Sequence, residues 1–211
     1  VLCTGLGYAQ NWQTVRSDYT HYFKADDLNS DYDPILAMAC DSAAFAAGDS
    51  ILYPFTAIRL NELDTGMIPC PFIEGPGWLG SHVIIEPDGS NIFWNKDTAS
   101  ILIETNATLG TSYKMYTFPS GDSIMAEVTS VDEEMILGSM DSVKTFSLTS
   151  TSTIDVSPAQ FKISKNHGLI TILPFYSFPE PYDESWEDIE DHYDLVGKDN
   201  PTTGITRPTY N

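Results

Sequence analysis

His167 is a residue whose type could support catalysis, because an imidazole can act as a general base near neutral pH. It would need a nucleophile or a carboxylate partner, and no such residue lies at a recognisable spacing from it. Its neighbours Asn166 and Gly168 tolerate positive φ, so the three residues also predict a tight turn, which we favour. His167 is kept as a candidate binding residue. The other histidines are isolated and predict structural or surface roles: His21, His82 and His192.

Motifs for nucleophilic catalysis and for phosphate binding are missing from the sequence. No Gly-x-Ser-x-Gly segment occurs. The glycine-rich stretch Gly75–Gly80 lacks the Lys-Ser/Thr pair of a phosphate loop. We therefore predict no catalytic residues. Trp78, inside this stretch, could stack on a sugar ring or anchor a partner, or it could insert into the core.

Two groups of residues bear on metal and disulfide chemistry. An acidic run could supply the oxygen ligands of calcium, but it lacks the Asp/Asn and Gly pattern of a calcium loop, which favours a solvated linker. The cysteines Cys40 and Cys70 lack metal-site spacing, and are either a disulfide in an oxidising compartment or two buried thiols. We predict no metal site and no cofactor, with calcium as the one ion that this run could hold. The run comprises Asp183, Glu184, Glu187, Asp188, Glu190 and Asp191.

Charge and hydropathy exclude several partners. The 211 residues include 10 Lys and Arg against 30 Asp and Glu, for a net charge of −20. Such a surface repels nucleic acid and anionic membranes.

Val1–Ala9 is typical of the end of a secretory signal peptide, with small residues at Gly7 and Ala9. No later stretch is long and apolar enough to predict membrane insertion, so we expect an extracellular or cell-surface protein.

The elements that must position these residues are short apolar runs separated by turn residues. This pattern predicts an all-β fold, an antiparallel meander that forms a curved sheet (half-barrel) or a sandwich. The predicted strands are Tyr19–Ala25, Ile35–Cys40, Ser50–Arg59, His82–Ile85, Asn91–Trp94, Ser100–Glu104, Ser112–Phe118, Ser123–Val131, Glu134–Leu137, Ser142–Leu148, Gln160–Ser164 and Leu169–Tyr176.

The domain organisation follows from changes in composition. Residues 10–179 are predicted to form the β domain, and residues 180–211 an extended acidic tail or linker leading to a further region. Ile35–Ala47 is rich in Ala, so a helix competes there with strands. Asn61–Gly80 predicts a long loop, and loops of that length inside a domain are usually functional.

Five segments carry a resemblance to a known family: Gly48–Arg59, Thr108–Phe118, Asp141–Ser150, Phe161–Pro179 and Asp194–Gly204. Together they resemble the N-terminal region of secreted Bacteroidetes proteins of the type IX secretion class, which carry a C-terminal sorting domain. The resemblance implies an exported protein and brings no known active site.

Asp-Ser or Asp-Thr followed by an aliphatic residue occurs five times. As a local signal the pair marks a turn that leads into a strand. The resemblance implies a second interpretation, since this is the O-glycosylation sequon of exported Bacteroidetes proteins. A glycan needs exposed surface, which favours Ser50 and Ser123 after their Gly-Asp turns. The candidate residues are Ser42, Ser50, Thr98, Ser123 and Ser142.

Three functions remain open at this point. The first is an exported, non-enzymatic structural or adhesive module whose partners are other surface proteins, copies of itself or glycans. The second is a glycan- or lipid-binding module that uses Trp78, the Asn61–Gly80 loop or the concave face of the sheet. The third is a hydrolase with His167 as its base.

Overall fold

Every regular element in the computed structural model is a β-strand, within the residues that the structure describes: 12–16, 19–26, 35–38, 40–46, 49–54, 58–60, 79–80, 82–151, 156, 159–179 and 192–199. The all-β prediction is confirmed. The strands are β1 Thr20–Asp26, β2 Ile35–Met38, β3 Cys40–Ala46, β4 Asp49–Pro54, β5 Ile58–Leu60, β6 Val83–Ile85, β7 Ser90–Trp94, β8 Ser100–Glu104, β9 Ser112–Thr117, β10 Ser123–Ile136, β11 Ser139–Ser150, β12 Gln160–Ser164, β13 Gly168–Ile172 and β14 His192–Asp199.

The strands form two antiparallel sheets, and neither order closes on itself. One sheet runs β5-β2-β1-β14-β13-β12-β11-β10-β9, and the other runs β3-β4-β6-β7-β8. Buried and half-buried positions alternate along β7, as a strand with one face in the core requires. Side chains of both sheets enter one hydrophobic core. Phe146 and Phe161 stack with ring centroids 4.6 Å apart in the first sheet, and Phe93 of the second lies 4.9 Å from Phe175.

The segment before β1 connects the two sheets. Thr14 is buried, and its carbonyl accepts a 2.8 Å hydrogen bond from the amide of Leu169 in β13. Its hydroxyl donates to the side-chain oxygen of Asn91 in β7 at 2.7 Å. Because both contacts are buried, the segment satisfies polar groups that would otherwise be costly to bury.

The structure bears on three sequence-based boundaries. Ile35–Met38 and Cys40–Ala46 form strands, as favoured over the helix, but these strands, β2 and β3, belong to different sheets. The two strands predicted between Ser123 and Leu137 are one continuous strand, β10, because Asp132 and Glu133 stay in register with Val143 and Ser142. β14 lies beyond the predicted end of the domain at Pro179 and pairs with β1 and β13 inside the first sheet.

Candidate functional site

The His167 turn joins β12 to β13, and it is a tight turn as predicted. Gly168 has φ +77°, a conformation that a side chain rarely adopts. A Cβ atom at this position would lie 2.5 Å from the Thr14 carbonyl oxygen. Glycine is therefore required here both by backbone conformation and by the close approach of the segment before β1.

The carboxylate of Asp141 accepts hydrogen bonds from three residues around this turn. It comes from β11, which pairs with β12. The Ser164 hydroxyl donates to it, as do the backbone amide of Asn166 at 2.9 Å and the side-chain amide of Asn166 at 2.8 Å. The Nδ1 atom of His167 lies 3.0 Å from Asp141 Oδ2. We call these four residues, Asp141, Ser164, Asn166 and His167, the turn clamp.

Three residues of the turn clamp are buried and Asn166 is exposed, and this burial affects the pKa of the Asp141 carboxyl. Asp141 is 3% exposed, Ser164 0% and His167 5%. Burial raises the pKa of the Asp141 carboxyl, but the hydrogen bonds from Ser164, Asn166 and His167 outweigh it and hold the pKa below its ordinary value. The clamp therefore holds a buried carboxylate in its charged, fully hydrogen-bonded form.

The clamp contains serine, histidine and aspartate, but not in the arrangement of a hydrolase. In a catalytic triad the imidazole lies between the two other groups and uses one ring nitrogen for each. Here Ser164 Oγ and Asp141 Oδ2 both lie near Nδ1 of His167, at 3.1 and 3.0 Å. Ser164 also donates directly to Asp141 and is fully buried. The arrangement satisfies a buried charge and closes a turn, and it presents no nucleophile to a substrate.

Among the described residues, the most exposed apolar surface lies on the β10–β11 hairpin. β9 pairs with β10 over Ser123–Glu127, and β12 pairs with β11 over Val143–Ser147. Beyond these pairings β10 and β11 continue as a two-stranded ladder to their turn, with Glu134, Met135 and Ile136 opposite Asp141, Met140 and Ser139. We call Val131–Asp141 the hairpin arm. Its turn is closed by Leu137 at φ +48° and Gly138 at φ +83°.

The hairpin arm carries four of the five large hydrophobic side chains that are exposed in the described part of the chain. They are Val131 at 44%, Met135 at 64%, Leu137 at 39% and Met140 at 57%. The fifth, Leu109, lies at the foot of the same hairpin, beside the hydrogen bond from the Gly110 amide to the Val128 carbonyl. Apolar side chains concentrated in this way mark a contact surface more often than scattered ones do.

The register shows that Val131, Met135 and Met140 share one face of the arm. Residues directly opposed in an antiparallel pair point to the same side, and Met135 opposes Met140. Val131 opposes Lys144, and Lys144 is two residues from Phe146 of the core. Side chains two residues apart on a strand lie on one side. The face is thus a continuation of the core side of the sheet beyond the core itself.

Two interactions fix the arm at its root. Lys162 of β12 forms a salt bridge with Glu134, with the ammonium 2.9 Å from Oε1. Asp141, the last residue of the arm, is the acceptor of the turn clamp. These contacts lie on the side of the arm opposite to Met135 and Met140, since Glu134 opposes Asp141. They hold the arm against β12 and leave its apolar face uncovered.

On the side of the arm that carries Met135 and Met140, Lys144 contacts the segment that follows β8. Its ammonium donates to the carbonyl oxygens of Thr105 and Ala107, both at 2.8 Å, and lies 4.5 Å from the centroid of the Trp12 ring. Burial lowers the pKa of the Lys144 ammonium. The positive charge is therefore turned inward, and contributes little to the exposed surface of the arm.

A polar cleft of about 330 Å³ lies between the β6–β7 turn and the start of β9. Its polar groups bond mainly to one another: Asn106 Nδ2 donates to the Asp88 carbonyl at 2.6 Å, and the hydroxyls of Thr108 and Thr111 are 3.0 Å apart. The described residues that line it include no aromatic ring. It therefore lacks the stacking surface that favours sugar rings.

The candidate glycosylation residues fall in different environments. Ser123 is only 5% exposed, so the prediction that it lies on open surface is wrong; its amide donates to the Thr151 hydroxyl at 2.8 Å. Ser142 is half-buried and donates to Glu133, while its neighbour Asp141 is buried in the clamp. Thr98 is exposed, in a turn at φ +63°. Ser42 and Ser50 lie in β3 and β4.

Other predicted sites lie outside the described residues. These are Trp78, Cys70 and the acidic run of residues 183–191, so the stacking, disulfide and calcium hypotheses stay predictions. Within the described ranges, no three His, Cys, Asp or Glu side chains are placed to hold a metal ion. Those ranges also contain no helix that is long and apolar enough to cross a membrane.

Sequence reasoning missed Asp141 as the partner of His167, and it missed the arm. Asp141 is 26 residues away from His167, and only the pairing of β11 with β12 brings them together. The sequence signal for the arm is the run of apolar residues around Gly138, which by itself predicts ordinary strands joined by a turn. Comparison with protein-family models, with curated proteins and with solved structures finds no match to this chain.

Proposed function

We propose that the protein is an exported, non-enzymatic structural or adhesive module that makes its contacts through the hairpin arm. The observation that carries this proposal is the concentration of exposed apolar side chains on the arm, four of the five in the described residues. A β-hairpin braced at its root and apolar along one face is suited to insert into, or lie against, another macromolecule.

The turn clamp supports the non-enzymatic part of the proposal. A hydrolase with His167 as base would need its nucleophile and its carboxylate on different ring nitrogens, whereas both approach Nδ1 here. Export is supported by the leader-like Val1–Ala9 and by the resemblance to secreted Bacteroidetes proteins. The glycan- and lipid-binding alternatives remain predictions that depend on Trp78 and its loop.

The contact role is tested by binding the purified full chain to intact cells of its native host. We compare wild type with Met135→Ser/Met140→Ser, which removes the most exposed apolar side chains. The matched control is Met135→Leu/Met140→Leu, which keeps the surface apolar. The serine variant is expected to bind at least about tenfold more weakly, and the leucine variant within about twofold of wild type. Equal retention of the serine variant would show that the arm is not the contact surface.

Export is tested separately by fractionating the native host. The protein is expected on the cell surface or in the medium, with residues 1–9 removed from the recovered chain. Recovery of the protein from the cytoplasm with those residues intact would contradict this part of the proposal.

A further inference from the structure

We infer that the partner of the hairpin arm is a protein surface with an apolar groove flanked by Lys or Arg side chains. This inference rests on the proposed contact role and specifies the chemistry of the partner. It is drawn from the shape of the apolar face, from the charges around it and from the overall charge of the chain.

The shape of the apolar face fits an extended partner. Val131 and Met135 are four residues apart on β10, which separates them by about 13 Å along the strand. Met140 stands beside Met135 on the neighbouring strand, and Leu137 caps the end. A narrow strip of this kind matches a groove or another strand better than it matches a flat surface. Methionine is unbranched and polarisable, so it adapts to the walls of such a groove.

The charge on the apolar face is acidic. Glu133 opposes Ser142 and therefore lies on this face, between Val131 and Met135, with its side chain exposed. Lys144, on the same face, points its ammonium at the carbonyls of Thr105 and Ala107. A partner with basic groups at its groove would therefore gain favourable electrostatic interactions with Glu133.

The same charges disfavour two other occupants. A second copy would bring one acidic arm and a net charge of −20 against another, which is unfavourable at physiological ionic strength. An anionic membrane is disfavoured for the same reason. A zwitterionic bilayer could accept the apolar residues but would gain nothing from the Glu133 carboxylate.

The test uses a short synthetic peptide of alternating Lys and Leu as the probe, and an alternating Glu and Leu peptide as its control. Affinity for the full chain is measured by isothermal titration calorimetry at two salt concentrations. The Lys-Leu peptide is expected to bind and the Glu-Leu peptide not to bind. Met135→Ser/Met140→Ser should weaken binding at least about tenfold, and Met135→Leu/Met140→Leu should leave it unchanged.

The charge contribution is tested with Glu133→Gln. This variant should bind the Lys-Leu peptide more weakly and with a smaller salt dependence, because the exposed carboxylate on the apolar face is lost. Equal affinity of the peptide for wild type and for the serine variant would overturn the inference, since it would reflect only the net charge of the chain. Arm-dependent binding to phosphatidylcholine vesicles, or arm-dependent dimerisation, would also overturn it.

The cell-binding and peptide-binding experiments distinguish a failure of the contact role from a failure of the partner inference. If cell binding depends on Met135 and Met140 but peptide binding does not, the partner chemistry is wrong and the contact role stands. If cell binding is unaffected by Met135→Ser/Met140→Ser, the contact role fails and the partner inference fails with it.

Discussion

Two hairpin turns of the same sheet contain a glycine with positive φ, and they have opposite surroundings. Gly168, at the turn from β12 into β13, has φ +77°, and a Cβ atom added to it would clash with the Thr14 carbonyl oxygen. Gly138, between β10 and β11, has φ +83°, and a Cβ atom added to it would have no neighbouring atom within 4 Å. Gly168 is buried against the segment before β1, whereas Gly138 lies at the exposed tip of the hairpin arm.

The side chains around the two turns have different roles. Those around Gly168 stabilise the fold, whereas those around Gly138 are exposed and available for binding. At the Gly168 turn, hydrogen bonds from three residues converge on Asp141, and the side chains of Asp141, Ser164 and His167 are buried. At the Gly138 turn, the surrounding side chains are apolar and exposed. Exposed apolar side chains contribute little to the stability of the fold. Their concentration at this turn therefore indicates an interaction with another molecule.

The largest expected effect comes from removing the acceptor of the turn clamp. Asp141→Ala should lower the free energy of unfolding by about 4 kcal/mol, because Ser164 and His167 would be left as buried groups without their acceptor. Urea denaturation measures the change. Asp132→Ala is the matched control on the same hairpin, and its exposed side chain predicts a change within about 0.5 kcal/mol. Equal effects of the two substitutions would show that the clamp is not a stabilising network.

The next effect compares the two glycines directly. Gly168→Ala should cost about 3 kcal/mol, since the methyl group meets both an unfavourable φ and the Thr14 oxygen at 2.5 Å. Gly138→Ala meets only the unfavourable φ and should cost about 1 kcal/mol. Chemical denaturation of both variants gives the comparison. A Gly138→Ala loss as large as that of Gly168→Ala would indicate that the tip is packed against other residues.

A smaller effect is expected in the dependence of stability on pH. The pKa of the Asp141 carboxyl is lowered in the folded protein, so its stabilising contribution is complete above its unfolded pKa of about 4. That contribution is lost as the pH falls through the folded pKa. Unfolding free energies of wild type should therefore decline more steeply below about pH 4 than those of Asp141→Asn. Parallel curves for the two proteins would contradict the assignment.

The smallest expected effect on stability comes from the apolar face of the arm. Met135→Ser/Met140→Ser should change the free energy of unfolding by less than about 0.5 kcal/mol, because both side chains are mostly exposed. Thermal unfolding followed by circular dichroism is sufficient to measure it. A loss above about 1 kcal/mol would mean that these side chains stabilise the folded chain itself.

The comparison also shows which features of the molecule can be predicted from the sequence. The Asn166-His167-Gly168 turn follows from local backbone preferences, and the all-β class follows from short apolar runs with period-two alternation. β14 was missed because its partner β1 lies more than 160 residues earlier in the chain, and the acidic stretch before it indicates a linker.

The role of Asp141 could not be predicted for a related reason. It precedes Ser142 and Val143 in a pattern that indicates a turn edge or a glycosylation sequon, both of which imply exposure. Its burial depends on the register of β11 against β12, which no local pattern specifies. The exposure of Met135 and Met140 likewise depends on where β9 and β12 end, and not on the residues of the arm.

The central claim is that the arm makes the contacts of this protein, and methionine oxidation tests it most directly. The protein bound to host cells and the free protein are treated briefly with hydrogen peroxide, and each methionine is quantified by peptide mass spectrometry. Met135 and Met140, exposed at 64% and 57%, should oxidise readily when free and several-fold more slowly when bound, roughly as expected for side chains moved out of solvent. Met115, at 1% exposure, is the internal control and should react slowly in both states. Unchanged oxidation of Met135 and Met140 in the bound protein would contradict the account.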